Sequence, residues 1–231
     1  ESVEIFDADP FASALIQDSM KLGKTLKQGG CRYDVISQSN IGPSVVGNSL
    51  MVIKELVFDK KQIRFHELLE AMKDNWNQES SKRILKKVLA VEKFGNDEDQ
   101  VDKIVSDVFE SYLSLLPSYE TLRKGKGPKV SAYTMSRSNI TSYVPNGFVV
   151  GATPDGRFAG TPLNEGCSPT QGTDHKGPTA VINSVSKLPN WKVAAGQLLN
   201  MRFDPDALQT EKGIDAFVAF LQVSQKKGIY H

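Results

Sequence analysis

The chain has 231 residues, 39% of them hydrophobic and 24% charged, with 28 Lys+Arg against 27 Asp+Glu and a formal net charge of +1. This is a globular mix that can bury a core; it excludes collagen, coiled coil and wholesale disorder, and it lacks the basic excess of a nucleic-acid binder. No apolar run reaches the roughly 18 residues of a membrane span, and the acidic start ESVEIFDADP is no signal peptide, so a cytoplasmic protein is expected.

Residues 1–124 read as helices. Asp9-Pro10 gives an N-cap followed by a first-turn proline, and Phe11, Ala14, Leu15, Ile16 and Met20 form an apolar face to about Lys27, where Gly29-Gly30 stops it. Cys31 to Ile36 reads as a short strand, and Ser39 to Ser44, with Gly42-Pro43, as a turn. Val46, Leu50, Ile53 and Val57 recur at helical spacing and predict a buried helix over Val45–Phe58. Two amphipathic helices follow, Phe65–Trp76 with Leu68, Leu69 and Met72 inside, and Ser80–Val91 with Ile84, Leu85, Val88 and Leu89 inside. After a turn at Phe94-Gly95-Asn96-Asp97, a long helix over Asp97–Leu116 carries Val101, Ile104, Val105, Val108, Tyr112 and Leu115 on one side.

Residues 117–130 look like a connector and a soft internal boundary, charged by Arg123, Lys124, Lys126 and Lys129 and most simply a solvated loop. Between Pro145 and Pro178, 12 of 34 residues are Gly or Pro, well above the average of about 12%. Phe148-Val149-Val150 runs through this stretch, so it reads as ordered irregular backbone of the kind that carries function. A helix over Pro178–Leu188, a strand over Gln197–Phe203 and a closing helix over Asp206–Lys227 complete the order, the last with Ile214, Phe217, Val218 and Leu221 at helical spacing.

The common catalytic constellations are missing: the sequence contains no GxSxG, GxxxxGK[ST], HExxH or GxGxxG. His66 is expected on a helix surface, His175 lies in a turn beside Asp174, and His231 is the last residue. Cys31 and Cys167 stand 136 positions apart with no His in the surrounding residues to activate either thiol, and no Cys/His spacing marks a metal site. Asp155-Gly156-Arg157 is first a turn; Arg157 serves there as a fork onto backbone carbonyls or as a holder of a carboxylate or phosphate.

Longer motifs carry a resemblance. Gly151-Ala152-Thr153-Pro154-Asp155-Gly156-Arg157, Gly172-Thr173-Asp174, Lys176-Gly177-Pro178-Thr179-Ala180-Val181, Ser184-Val185-Ser186-Lys187-Leu188 and Leu198-Leu199-Asn200 before Arg202-Phe203 resemble the glycyl radical enzymes. Gly29-Gly30-Cys31-Arg32-Tyr33, Asn48-Ser49-Leu50, Val57-Phe58-Asp59 and Phe94-Gly95-Asn96-Asp97 extend the resemblance through the first part, with Asn48 where the family usually has aspartate. The resemblance implies an α/β fold: part of a ten-stranded α/β barrel, here the second half-barrel, with the whole chain 1–231 as one partial domain. It also implies chemistry in which a glycyl radical generates a cysteine thiyl that takes a hydrogen from a small substrate. The radical is installed by an activating enzyme that uses S-adenosylmethionine and an iron–sulfur cluster.

The departures locate the segment within that family. Cys31 and Cys167 stand at positions usually held by a small apolar residue, not in the radical Gly-Cys loop. The chain stops at Gly228-Ile229-Tyr230-His231, before the Arg-Val-x-Gly-Tyr motif of the radical glycine. The segment is therefore expected to bind no cofactor itself and to be inactive alone. Its expected partners are the rest of the parent barrel, the activating enzyme and a small-molecule substrate, with a homodimer in the parent and no nucleic acid or membrane.

Gly177-Pro178-Thr179-Ala180-Val181 and Leu199-Asn200 resemble the eliminating branch, which cleaves C–O, C–N or C–C bonds. The fumarate-adding and formate acetyltransferase types stay open, as does a non-catalytic scaffold or binding module. Ala194-Ala195 replaces a Ser-Asn pair common in the eliminating enzymes, which leans towards a less polar substrate. Within Ser142-Tyr143-Val144-Pro145-Asn146-Gly147, a match to a segment that lines the barrel interior, Tyr143 is the candidate substrate-binding residue; the bland alternative is a half-buried strand tyrosine.

Overall fold

The computed structural model describes residues 7–121, 132–136 and 141–229. Most of the connector 117–130, including Arg123, Lys124, Lys126 and Lys129, lies outside the described residues, as do Tyr230 and His231. The chain forms two compact units, one from residues 1–38 and 112–135, the other from 39–111 and 136–231.

The first unit holds helices α1 (Pro10–Leu15) and α2 (Ser19–Leu22) and a two-stranded sheet of β1 (Val35–Ser39) and β2 (Ala132–Ser136). Asp9 caps α1 as its sequence position implies, its Oδ1 accepting from Ala12 N at 2.9 Å. The expected helix to Lys27 is corrected: α1 ends at Leu15, and Asp18 enters α2 with a left-handed backbone, φ 77°. Phe11, Leu15 and Met20 are exposed. Short helices gain little without an apolar face packed against a partner, so nothing binds these turns into one rod. The strand expected at Cys31–Ile36 starts later, at Val35.

The second unit begins with α3 (Pro43–Val52), which continues into a π-helical stretch over Ile53–Asp59. Here the sequence identifies the element but picks the wrong face. Val46 and Leu50 are exposed, whereas Ser44, Gly47, Asn48, Met51 and Val52 are buried. Gly47 explains the inversion: a Cβ there would stand 2.2 Å from Val105 Cγ2, so only glycine lets this small-residue face meet the long helix. The π stretch carries ion pairs Lys54–Asp59 and Glu55–Lys60, five residues apart. That is the repeat of its i→i+5 winding.

Helices α4 (Phe65–Lys73), α5 (Glu79–Leu89) and α6 (Asp99–Leu115) follow, the last turn of α6 from residue 112 on belonging to the first unit. Leu68, Val88, Val101, Val105 and Phe109 are buried as core, while Leu69, Leu89 and Leu115 are exposed, which narrows each expected apolar stripe. The turn between α5 and α6 needs Gly95, whose φ is +100° and whose missing Cβ would lie 2.3 Å from Pro169 Cγ. Gly95→Ala adds backbone strain and overpacking together, so a urea unfolding curve should show a loss of about 3 kcal/mol.

The remaining helices are α7 (Tyr143–Val149), α8 (Pro178–Ser186) and α9 (Glu211–Lys226). The closing helix is shorter than the expected Asp206–Lys227 because Pro205–Leu208 winds as a separate 3-10 turn. Its contact face is aromatic: Phe203, Phe217 and Phe220 meet with ring centroids 5.1–6.1 Å apart, while Ile214 and Val218 are exposed. The strand expected over Gln197–Phe203 is not formed. Leu198 O accepts from Cys167 N at 2.9 Å and Asn200 N donates to Ser168 Oγ at 3.1 Å, so these backbone groups bond to the Gly/Pro loop instead of a neighbouring strand.

Candidate functional site

The candidate site is built from residues of the second unit. The Gly151–Arg157 turn is built around two buried charges that do not act as a simple ion pair. Arg157 forks onto carbonyls: Nη1 donates to Phe158 O at 3.0 Å and Thr161 O at 2.6 Å, and Nη2 donates to Val150 O at 3.3 Å and to Gly151 O. Asp155 Oδ1 accepts from Thr153 Oγ1 at 2.6 Å and Arg157 N at 3.3 Å. Burial pushes the Asp155 carboxyl up and the Arg157 guanidinium down from their usual values. The fork reading of Arg157 holds: both terminal nitrogens of its guanidinium fix the loop, while the buried Nε makes no hydrogen bond among the described residues.

Two residues the sequence did not flag hold this turn from the α4 side. Asn75 and Trp76 both take left-handed backbones, φ 56° and 63°. This conformation is costly for a bulky side chain. It lets Asn75 Oδ1 accept from Ala159 N at 2.7 Å and Trp76 Nε1 donate to Arg157 O at 3.3 Å. Lys93 lies buried nearby, its ammonium donating to Val88 O and Val91 O at 2.7 Å each. Burial lowers the Lys93 pKa to about 8, against the pull of Asp155, Glu55 and Glu92.

The unfolded lysine keeps its ordinary, higher pKa, so between about 8 and the usual lysine range the unfolded chain binds more protons. The penalty for charging buried Lys93 is complete below pH 8 and is relieved as pH rises through that window. Stability of the wild type relative to Lys93→Met should therefore rise by about 2–3 kcal/mol between pH 8 and pH 10.5, read from paired urea titrations.

Three buried asparagines order the Gly/Pro loop. Asn164 Oδ1 accepts from Ser44 N at 3.0 Å and Val45 N at 3.2 Å, capping α3 from 120 residues away where Gly42 offers no side chain. Its amide donates to Gly166 O and Ser168 O, each at 3.2 Å. Asn48 accepts from Phe94 N at 2.8 Å and donates to Thr170 Oγ1 at 3.2 Å. This second bond uses the amide hydrogens that set Asn48 apart from aspartate. Asn96 accepts from His175 N and Lys176 N and donates to Lys93 O and Thr173 O. Every such bond is buried or partly buried, where a lost partner is costly.

The loop so held borders a cavity of 520 Å³, whose lining includes Tyr143, Glu165, Asp174, Pro178, Arg202 and Phe203. Tyr143 is therefore at a cavity, but on the first residue of α7, not on a strand; its carbonyl accepts from Leu163 N at 3.2 Å. Cys167 is buried, its thiol donating to Leu198 O at 3.2 Å, and Cys31 lies in the other unit. His66 and His175 are exposed, and the His175 ring sits 3.1 Å from Thr173 O, not on Asp174. Arg202 and Glu165 were not singled out as site residues; their only sequence signal is their place beside Leu-Leu-Asn and Gly-Cys-Ser-Pro motifs.

Behind the loop, Lys187 binds Asp97, Asp99 and the fully buried Asp102 at 2.7–2.8 Å. Burial alone would lower Lys187, but the hydrogen bonds it donates to Asp102, Asp97 and Asp99 outweigh it and the net direction is upward. Among the described residues no group of three or more His, Cys, Asp and Glu is arranged to hold a metal, and no helix is long and apolar enough to cross a membrane.

Two family models match in tandem: "Pyruvate formate lyase-like" over residues 4–147 and "Glycine radical" over residues 163–231. The chain is similar to the "Probable dehydratase YbiW" of Escherichia coli, 40% identical over 204 residues, covering 88% of this chain and 25% of the relative. It is similar to trans-4-hydroxy-L-proline dehydratase of Clostridioides difficile, 36% identical over 207 residues, covering 89% of this chain and 25% of the relative. A crystal structure of hydroxyproline dehydratase from Clostridioides difficile, with trans-4-hydroxy-L-proline bound, aligns with a TM-score of 0.88 at 32% identity. That alignment covers 99% of this chain and 28% of the other. The chain thus spans about a quarter of the length of the curated relatives it matches. Its helix-rich architecture with one small sheet is part of the same α/β barrel.

Proposed function

Because the chain belongs to the pyruvate formate lyase-like family of glycyl radical enzymes, we propose that it is a segment of a dehydratase or lyase that cleaves a C–O, C–N or C–C bond of a small substrate. The tandem family match, together with relatives named dehydratases and lyases, supports this reading. In it, the segment supplies barrel wall and one side of the substrate space and is inactive alone. The radical, once installed on a glycine by an activating enzyme of the S-adenosylmethionine iron–sulfur type, supplies the hydrogen-abstracting step.

This chain's own residues do not fit the radical-bearing role. The Cys167 thiol is buried against Leu198 O and is absent from the cavity lining. Two cysteines are also too few to ligate an iron–sulfur cluster. What the residues do is bind and hold. Tyr143 offers a phenolic hydrogen bond to a substrate oxygen, and the asparagine-fixed loop keeps the wall in one place. Partners in this reading are the rest of the barrel, a second copy of the parent enzyme, the activating enzyme and the substrate.

The test is the intact mass of the protein in its native host, detected with an antibody against this segment. A species several times heavier than 25.4 kDa supports the reading. A native species of 25.4 kDa overturns it and leaves a binding module without radical loops.

A further inference from the structure

Tyr143, Asp174 and Arg202 face the 520 Å³ cavity from three separate segments of the second unit. Of the other polar side chains at the cavity, Glu165 accepts from Asn200 at 2.6 Å and Ser168 accepts from Asn200 N, while Gln171 adds a neutral amide. Among the described residues, no side chain or backbone group engages the phenol, the Asp174 carboxylate or the Arg202 guanidinium in this way. They offer one hydroxyl, one anion and one cation around a floor that includes Pro178 and Phe203.

Resting on the reading of the chain as a dehydratase or lyase segment, we infer that this cavity takes a small hydroxylated zwitterion, an amino acid bearing a hydroxyl group. Its carboxylate pairs with Arg202, its ammonium with Asp174, and its hydroxyl with Tyr143. Guanidinium suits a planar carboxylate because its N–H groups form a matching fork. A neutral diol would leave both charges without a complement, and a simple anion would meet Asp174 and Glu165 as like charges. The volume lies within the range of small-molecule sites, about 300–1,000 Å³. The lean towards a less polar substrate drawn from Ala194-Ala195 does not bear on this cavity, since neither alanine lines it.

The test is equilibrium binding to the protein purified from its native host at whatever length it has there. It is done without activation, so that no radical step intervenes. Three probes separate the charges: trans-4-hydroxy-L-proline, 3-hydroxypyrrolidine (the same ring without the carboxylate) and glycerol. The zwitterion should bind most tightly. Arg202→Gln should weaken it roughly tenfold while leaving 3-hydroxypyrrolidine unchanged, and Asp174→Asn should weaken both amines. Both side chains are exposed, so neither change threatens the fold. Equal affinity for glycerol, no binding of the zwitterion, or indifference to Arg202→Gln overturns the inference. A heavy native species showing any of these results keeps the enzyme-segment reading and rejects only the substrate class.

Discussion

Trp76→Ala lowers the stability of the folded protein by about 3–5 kcal/mol, the range for removing a large aromatic from a packed core. Trp76 is 1% exposed and its indole N–H is bonded to Arg157 O, so the change leaves both a cavity and an unpaired carbonyl at the turn. Trp76→Phe keeps most of the ring and loses only the N–H, for about 1–2 kcal/mol. The gap between the two variants separates packing from tethering. The chain has two tryptophans, and the other, Trp191, is 83% exposed. The blue-shifted part of the fluorescence should therefore vanish with Trp76, and its shift on urea unfolding follows the turn directly. Unchanged urea midpoints in both variants would refute the tether.

Asn164→Ala costs about 2–4 kcal/mol, because it strips the cap from α3 and leaves the buried N–H groups of Ser44 and Val45 without an acceptor. Asn164→Asp gives a sharper test. The carboxylate keeps the accepting role but sets its other oxygen against the carbonyls of Gly166 and Ser168. Protonation restores a donor there, so the folded-state pKa of the new carboxyl lies above its unfolded value. Its stabilising contribution is then present at low pH and is lost as pH rises through the folded pKa. Relative to wild type, Asn164→Asp should look better in acid than at neutral pH, whereas Asn164→Ala should show no such trend. Urea titrations at two pH values distinguish the cases.

Helix periodicity located α4, α5 and α6 well because Leu68, Val88, Val101 and Val105 are ordinary apolar residues packed on one side. It failed at α3 because Ser44, Gly47 and Asn48, buried for close approach and hydrogen bonding, share the inner side with Val45, Met51 and Val52 and so hide the apolar period. Gln197–Phe203 has the composition of a strand but its backbone groups are bonded by Cys167 and Ser168, a tertiary fact that no local pattern carries. Arg157 was legible as a structural fork because it sits in a turn rich in carbonyls. Trp76 was not, since its role follows from two consecutive left-handed residues at a helix end. The cavity was legible only through Tyr143. Arg202 and Asp174 converge on it through folding of segments far apart in sequence.

The Asn164 cap also sets an order of events. The first turn of α3 must wait for a residue 120 positions later before its N–H groups are satisfied. On a ribosome adding about 5–20 residues per second, that delay is roughly 6–24 seconds. During it, the N–H groups of Ser44 and Val45 at the start of α3 lack the acceptor that caps them in the folded protein. Such long-range closure slows folding. The start of α3 therefore becomes fully bonded only after the Gly/Pro loop has been made and docked.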